Sequence, residues 1–580
     1  MFKTLVSFNH SIGHKLTNYT TLYRMSSQLV KVQVKQGIVV GQQKQLPNGN
    51  LYQSFQGIPY AVPPVGPLRF KSPLPLEKFD VPELDCLKER DVCHQRDAFT
   101  AEIIGSENCL FLNIYTPKKN NSSGPLPVMV WIHGGGFWFG HGNSDYYLPL
   151  SLLQEDVIVV TLNYRLGALG FLCLPEEGIW GNAGLKDQRL ALQWIQENIV
   201  QFNGDPNNVT LFGESAGAAS VHLHMYSNHA NKLFHKTIMQ SGAANAEWVF
   251  QVNPAYKVRK LAEELGLKNT SDTKELLQFL QSPQITPLHM LEKTLKTMTA
   301  DERRRHLPLP FKPVIEDSQS PDAFIDQPIV DRLKQVNSVE IPSIMGYNSA
   351  EGLGMMINAV RKVEEYDRDF KRMVPRNIPL SPDDPELEII ARKMRDFYMN
   401  GHKLSPKVFN ELVNILTDYH FAVDMQLAAE WQVRLQANSP LYFYYFDYVG
   451  SRNFYKTMLQ MSKLKGASHG DELFYLFQMA GNDDMGSRED QRVTKQISEL
   501  WANFAKTSNP TPEPGTVGCK WLPVKKPTGE HDSFNLNYLL IDDKGCRMQE
   551  NLNKDRMEFW RSIYEKYSSP LDYSIVSSKL

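Results

Sequence analysis

Two short runs, Val128-Met-Val-Trp-Ile132 and Asp156-Val-Ile-Val-Val-Thr-Leu162, are apolar almost without interruption, and they constrain the fold more than any other feature of the chain. A strand with one wet face alternates apolar and polar residues, whereas a strand apolar at successive positions is covered on both sides. From Val30 to about Trp248, β-branched runs of this kind alternate with helical patterns and Gly-containing turns. That alternation predicts an α/β fold: a large, mostly parallel central sheet with helices on both faces. Gly184 to Phe202 carries Leu185, Leu190, Leu192, Trp194, Ile195 and Ile199 at helical spacing, stopped by Asn203-Gly-Asp-Pro206. Asn208 to Phe212 then reads as the next strand. Beyond residue 250, amphipathic helices are expected around 254–266, 272–282, 385–400 and 406–436. The apolar runs Ile341–Gly346 and Leu441–Phe446 interrupt them as further strands, so these helices read as helical insertions over one sheet. The chain divides into a basic amino-terminal extension (1–27), a single catalytic domain (28–567) and an exposed carboxy-terminal tail (568–580).

With 580 residues, 42% of them hydrophobic and 22% charged, the chain can bury a sizeable core. No stretch is apolar enough for a transmembrane helix, and a net charge of -2 gives no argument for nucleic acid. No Asp or Glu occurs before Glu77. Phe2, Leu5, Ile12, Leu16 and Tyr19 recur there at roughly helical spacing, so residues 2–19 read as a membrane-surface helix or as a frayed extension. No secretory signal is recognisable in that segment. Six cysteines show no zinc-type spacing, and neither a metal nor a cofactor is implied. Cys93 and Cys109 are close enough in sequence to close a loop, but free thiols are the expectation without an oxidising compartment. The final residues, Ser578-Lys579-Leu580, match the address read by the peroxisomal import receptor. The expected location is therefore peroxisomal, with a cytoplasmic one as the alternative.

The chemistry is carried by Gly213-Glu-Ser-Ala-Gly217, a G-x-S-x-G nucleophile elbow at Ser215. A second match, Gly466-Ala-Ser-His-Gly470, lacks the strand-turn-helix context that lifts a serine above a sheet. Ser215 has it, with Asn208–Phe212 leading in and a helix of small residues leading out. His133-Gly-Gly-Gly-Phe137 follows the strand ending at Ile132, and consecutive glycines let backbone N–H groups approach a developing oxyanion. Gly135, Gly136 and Ala216 are the predicted donors. A serine hydroxyl needs a base, and the base needs an acid to fix its tautomer, in the chain order Ser, Asp or Glu, His. His469, after the strand at 441–446 and between small residues, is the base; His402 and His420 lie in helical patterns. Glu351, just after the strand ending near Met345, is the acid; Asp317 and Asp322 lack a leading strand.

From about Val30 to Ser562 the chain resembles the type-B carboxylesterase and cholinesterase family. The resemblance rests on Phe55-Gln-Gly-Ile-Pro-Tyr-Ala-Val-Pro-Pro-Val-Gly66, Ser106-Glu-Asn-Cys-Leu-Phe-Leu-Asn113, the H-G-G-G-F element, Asn163–Phe171, Gly181–Gln188 and Phe212–Ser220. It implies a serine esterase acting on small-molecule carboxylic esters, sensitive to organophosphates. The implied triad is Ser215, Glu351 and His469, and the implied oxyanion hole is Gly135, Gly136 and Ala216. The alternatives are a lipase of long-chain esters and a non-catalytic cholinesterase-like interaction protein. Within the family the chain looks most like the intracellular insect α-esterases. Cholinesterases hold a quaternary ammonium on a Trp ahead of the S-E-D-C-L element, and no Trp lies between residues 71 and 106; nor is there a Cys between Cys173 and Cys519 for the secreted members' second disulfide. Trp248 looks like a wall of the acyl pocket or a buried structural residue, and Glu214, beside the nucleophile, like a group that tunes the histidine's charge or stabilises the helix amino terminus.

Overall fold

A computed structural model of the chain describes residues 28–567 apart from 119–123, 228–229, 306, 330, 333–339, 437, 459–460, 480–485, 514 and 528–533. The extension 1–27 with its expected helix, and the tail 568–580 with Ser578-Lys579-Leu580, lie outside the described residues. In chain order the strands are β1 (Leu29–Val34), β2 (Gly37–Gln45), β3 (Leu51–Pro59), β4 (Glu83–Asp85), β5 (Gln95–Arg96), β6 (Ile103–Ile104), β7 (Phe111–Pro117) and β8 (Leu126–Ile132). They continue as β9 (Ile158–Leu162), β10 (Gly204–Glu214), β11 (Lys236–Gln240), β12 (Ser343–Asn348), β13 (Leu441–Phe446), β14 (Asn537–Asp542) and β15 (Gly545–Glu550). Thirteen form one sheet in the order β1-β2-β3-β7-β9-β8-β10-β11-β12-β13-β14-β15, with β4 beside β2; β5 and β6 pair separately.

The centre of the sheet, from β9 through β8, β10, β11, β12 and β13 to β14, is parallel. Its residues alternate between two cores: Val128, Val130 and Ile132 enter one, Met129 and Trp131 the other. Both faces are therefore covered, which is why these strands read as unbroken apolar runs. The flanks are antiparallel: β1, β2, β3 and β7 run antiparallel in succession and β7 antiparallel to β9, and β15 closes the other edge antiparallel to β14. β1 alternates exposed and part-buried residues, and such one-faced strands are weak signals in a sequence.

The helix Ala216–Tyr226 is buried along its whole length and packs on β10 and β11. Arg488–Thr507 packs against β8 and β10. The expected helix over 406–436 is continuous from Phe409, but a π turn at Asp418–Ala422 joins Phe409–Thr417 to Val423–Leu435. Among the described residues no helix is long and apolar enough to cross a membrane.

One expectation is corrected. Cys93 and Cys109 are joined in a disulfide rather than free, with Cα atoms 4.8 Å apart. The intervening chain folds back on itself through β5 and β6 and the Cys93–Ser106 bridge, and that pairing brings the two ends together. Sequence separation alone carries no information about such a fold-back.

Candidate active site

Every candidate catalytic group sits just beyond the carboxyl end of a parallel strand, where an open α/β sheet presents its loops. β10 ends at Glu214, and Ser215 turns the chain into the helix Ala216–Tyr226 with φ 57° and ψ -123°. A non-glycine residue held at positive φ stores strain, and a nucleophile elbow uses it to lift the hydroxyl off the sheet. The turn is fixed by the Ser215 N–H, which donates to the Gln240 carbonyl at 2.8 Å. It closes only over glycine, because a Cβ on Gly217 would stand 2.0 Å from the Ile132 oxygen.

The acid and the base meet across 118 residues of sequence. His469 Nδ1 lies 2.6 Å from Glu351 Oε2. The Glu351 side chain is fully buried, and its other oxygen accepts from Ser241 Oγ at 2.5 Å and from the Asn348 N–H at 2.6 Å. The carboxylate is thus held by three donors before it meets substrate. The other ring nitrogen, Nε2, is 3.0 Å from Glu214 Oε1 but poorly aligned for a hydrogen bond, so this is a charge contact. Burial opposes a charged imidazole, yet Glu214 and Glu351 together outweigh it and hold His469 well above the ordinary histidine value. Phe421, placed by the π turn, packs its ring 4.5 Å from the imidazole.

On the opposite side of Ser215, Gly135 and Gly136 take φ 97° and 62°. A Cβ on Gly135 would come within 2.0 Å of the Phe139 oxygen. The N–H groups of Gly135, Gly136 and Ala216 donate to no acceptor among the described residues, so three donors stand ready at the elbow. The wall is apolar. Leu309 abuts Gly136, and Trp248 bridges Phe137 and Phe421 while its Nε1 donates to the His420 carbonyl at 2.8 Å.

The rivals lie elsewhere. Asp322 pairs with Lys186 and Arg189, Asp317 caps an exposed turn, and His420 contacts Glu247 at 3.2 Å. His402 is exposed in the turn after Pro385–Met399. Ser468 sits in the loop before His469 with its N–H on Asp471 and its carbonyl on Asn348. Among the described residues no group of three or more His, Cys, Asp or Glu side chains is arranged to hold a metal.

Residues 28–560 match the family model described as the carboxylesterase family. The chain belongs to the carboxylesterase family. It is accordingly a carboxylic ester hydrolase. It is similar to juvenile hormone esterase of Tribolium castaneum, 32% identical over 92% of this chain and 94% of that protein. Esterase E4 of Myzus persicae is 34% identical over 86% and 90%, and esterase B1 of Culex pipiens 32% over 93% and 99%. Among solved structures, juvenile hormone esterase from Manduca sexta, with OTFP covalently attached, superposes with a TM-score of 0.80. It is 28% identical and covers 93% of this chain and all of that one.

The carboxylesterase also places beside these candidates residues that the sequence did not single out: Ser241 and Asn348 on Glu351, and Gln240 behind Ser215. Ser241 and Gln240 follow from chain geometry, since β11 neighbours β10 and its carboxyl end opens beside the elbow. Asn348 closes β12 three residues before Glu351, and an Asx residue at a strand end is the only local signal it leaves.

Proposed function

We propose that Ser215 is the nucleophile, His469 the general base and Glu351 the group that orients it, in ester hydrolysis through an acyl-enzyme. Ser215 Oγ attacks the ester carbonyl as its proton passes to His469 Nε2, and the carbonyl oxygen, now negative, is met by the N–H groups of Gly135, Gly136 and Ala216. The tetrahedral adduct expels the alcohol, which takes the proton from Nε2. A water molecule, deprotonated by the same nitrogen, then attacks the acyl-serine; the proton returns through Nε2 to Oγ and the carboxylic acid leaves. For the first step the imidazole must be neutral and must face Ser215 rather than Glu214. Catalytic hydrogen bonds of this kind commonly tighten only when substrate is bound.

The observation that carries this reading is the 2.6 Å contact of His469 Nδ1 with a buried, triply held carboxylate, beside a serine on a strained elbow. Support also comes from the Manduca sexta relative, to which a ligand is covalently attached. The apolar wall of Leu309, Phe137, Trp248 and Phe421 suits an apolar acyl group, and turnover of p-nitrophenyl esters of increasing acyl length measures how long a chain it takes. A fluorophosphonate should label the enzyme at Ser215, and an organophosphate should block it there. Ser215→Ala should abolish labelling and turnover while Ser468→Ala retains both; the reverse result would place the nucleophile at 468.

A further inference from the structure

Glu472, three residues past His469, is 1% exposed and takes no part in the steps above. Its Oε1 accepts from Gln240 Nε2 at 3.0 Å, and its Oε2 accepts from Asn348 Nδ2. Both partners hold catalytic segments through their backbones. The Gln240 carbonyl receives the Ser215 N–H at 2.8 Å, and the Asn348 N–H donates to Glu351 Oε1 at 2.6 Å. Asn348 Nδ2 also reaches the Ser468 carbonyl, at 2.8 Å, on the residue before His469. Gln240 is held in turn by Trp501, whose Nε1 donates to its Oε1 at 3.0 Å. One buried carboxyl therefore joins side chains from β11 and β12 to the loop that bears the base.

We propose that Glu472 is a positioning residue for ester hydrolysis, the node that holds the Ser215, Glu351 and His469 segments in register. The inference rests on the triad reading of those three residues. Burial, with Glu214 and Glu351 close by, pushes its carboxyl up to about 8, so at neutral pH it keeps its proton and adds no third negative charge beside His469. The titratable groups that act on it are Glu214 from β10, Glu351 beyond β12, Tyr444 on β13 and Tyr455, with His469 and Asp471 close along its own segment.

The test compares Glu472→Leu, Glu472→Gln and Ser215→Ala in the full-length enzyme. Turnover of the two Glu472 variants is expressed per site titrated by a fluorophosphonate, so misfolded protein does not count, and turnover of Ser215→Ala is expressed per folded protein measured by circular dichroism. Leu removes both hydrogen-bond acceptors, and kcat should fall roughly 100-fold with little change in KM, the cost of a displaced catalytic geometry. Gln keeps the planar polar shape and should recover most of that loss. The acid limb of kcat/KM should stay at the wild-type pH in Glu472→Gln, because no charge is removed. Wild-type kcat in Glu472→Leu overturns the inference, as does a Gln variant as impaired as Leu. An acid limb that moves to lower pH in Glu472→Gln also overturns it, since that shift marks a charged group tuning His469, and this profile decides the matter even if the Leu variant does not fold. Activity retained by Ser215→Ala would instead bring down the triad reading itself.

Discussion

Buried charge is arranged in two different ways in this molecule. In one, a buried anion meets a buried cation. Arg165 grips Asp187 through Nε and a terminal nitrogen at 2.8 and 2.6 Å with both side chains almost wholly buried, and Lys186 meets Glu316 at 2.7 Å under the same conditions. Lys257 and Glu302 repeat the pattern at 2.7 Å. At the elbow, Glu214 and Glu351 meet a single imidazole, Asp471 and Glu472 are buried on the segment that follows it, and Lys456 is bound to the carbonyls of Leu464 and Gly466. In the first region attraction offsets the desolvation of both partners. In the second the excess of carboxyls shows as displaced titration: burial raises Glu472 to about 8 and Asp471 to about 7, while Glu214 and Glu351 hold His469 well above the ordinary histidine value. Paired charge supports the scaffold, and carboxyls crowded on one imidazole mark the candidate place for proton transfer.

Substitutions in the two regions should separate cleanly. The largest effect is expected from Ser215→Ala, a loss of about 10⁵-fold or more in kcat with an unchanged melting temperature. Glu351→Gln should cost about 10⁴-fold in kcat, because the imidazole loses the partner that fixes its tautomer. Arg165→Met should do the opposite, leaving kcat per folded molecule intact and lowering unfolding free energy by about 3–5 kcal/mol, because Asp187 is stranded in the interior. Chemical denaturation and active-site titration measured together would break the comparison if Arg165→Met lost activity without losing stability.

Two smaller effects sharpen it. His469 acts as a base only when neutral, and Glu214 and Glu351 raise its folded value, so kcat/KM should rise as pH climbs through that raised value. Glu214→Gln removes one of the two carboxylates and should move this rise to lower pH; a profile that stays in place would mean that Glu214 does not tune the ring. Glu472 has a folded value raised from 4.5 to about 8. Below pH 4.5 it is protonated whether folded or unfolded and contributes no pH dependence. Between 4.5 and 8 only the unfolded chain releases the proton, so folding is progressively disfavoured. Melting temperatures of Glu472→Gln should therefore gain on wild type as pH rises from 5 to 8; a constant difference would show that the wild-type carboxyl titrates normally.

What the sequence determined was whatever repeats or lies close along the chain. The apolar runs of β8 and β9 demanded cover on both faces, the elbow announced itself by a strand, a glycine-flanked serine and a helix of small residues, and Glu351 and His469 each followed a strand at the right point in chain order. The antiparallel flanks β1–β3 and β14–β15 left fainter traces because half of each strand faces outward. Tertiary structure alone decided the rest. It closed Cys93 on Cys109 and turned Phe421 onto the imidazole through a π turn within an apparently regular helix. It also joined Gln240, Asn348 and Glu472, which lie up to 232 residues apart, in one hydrogen-bonded cluster. Periodicity reports which face of an element is buried, but a polar side chain's partner depends on which strand ends the sheet order brings together, and no local pattern encodes that order.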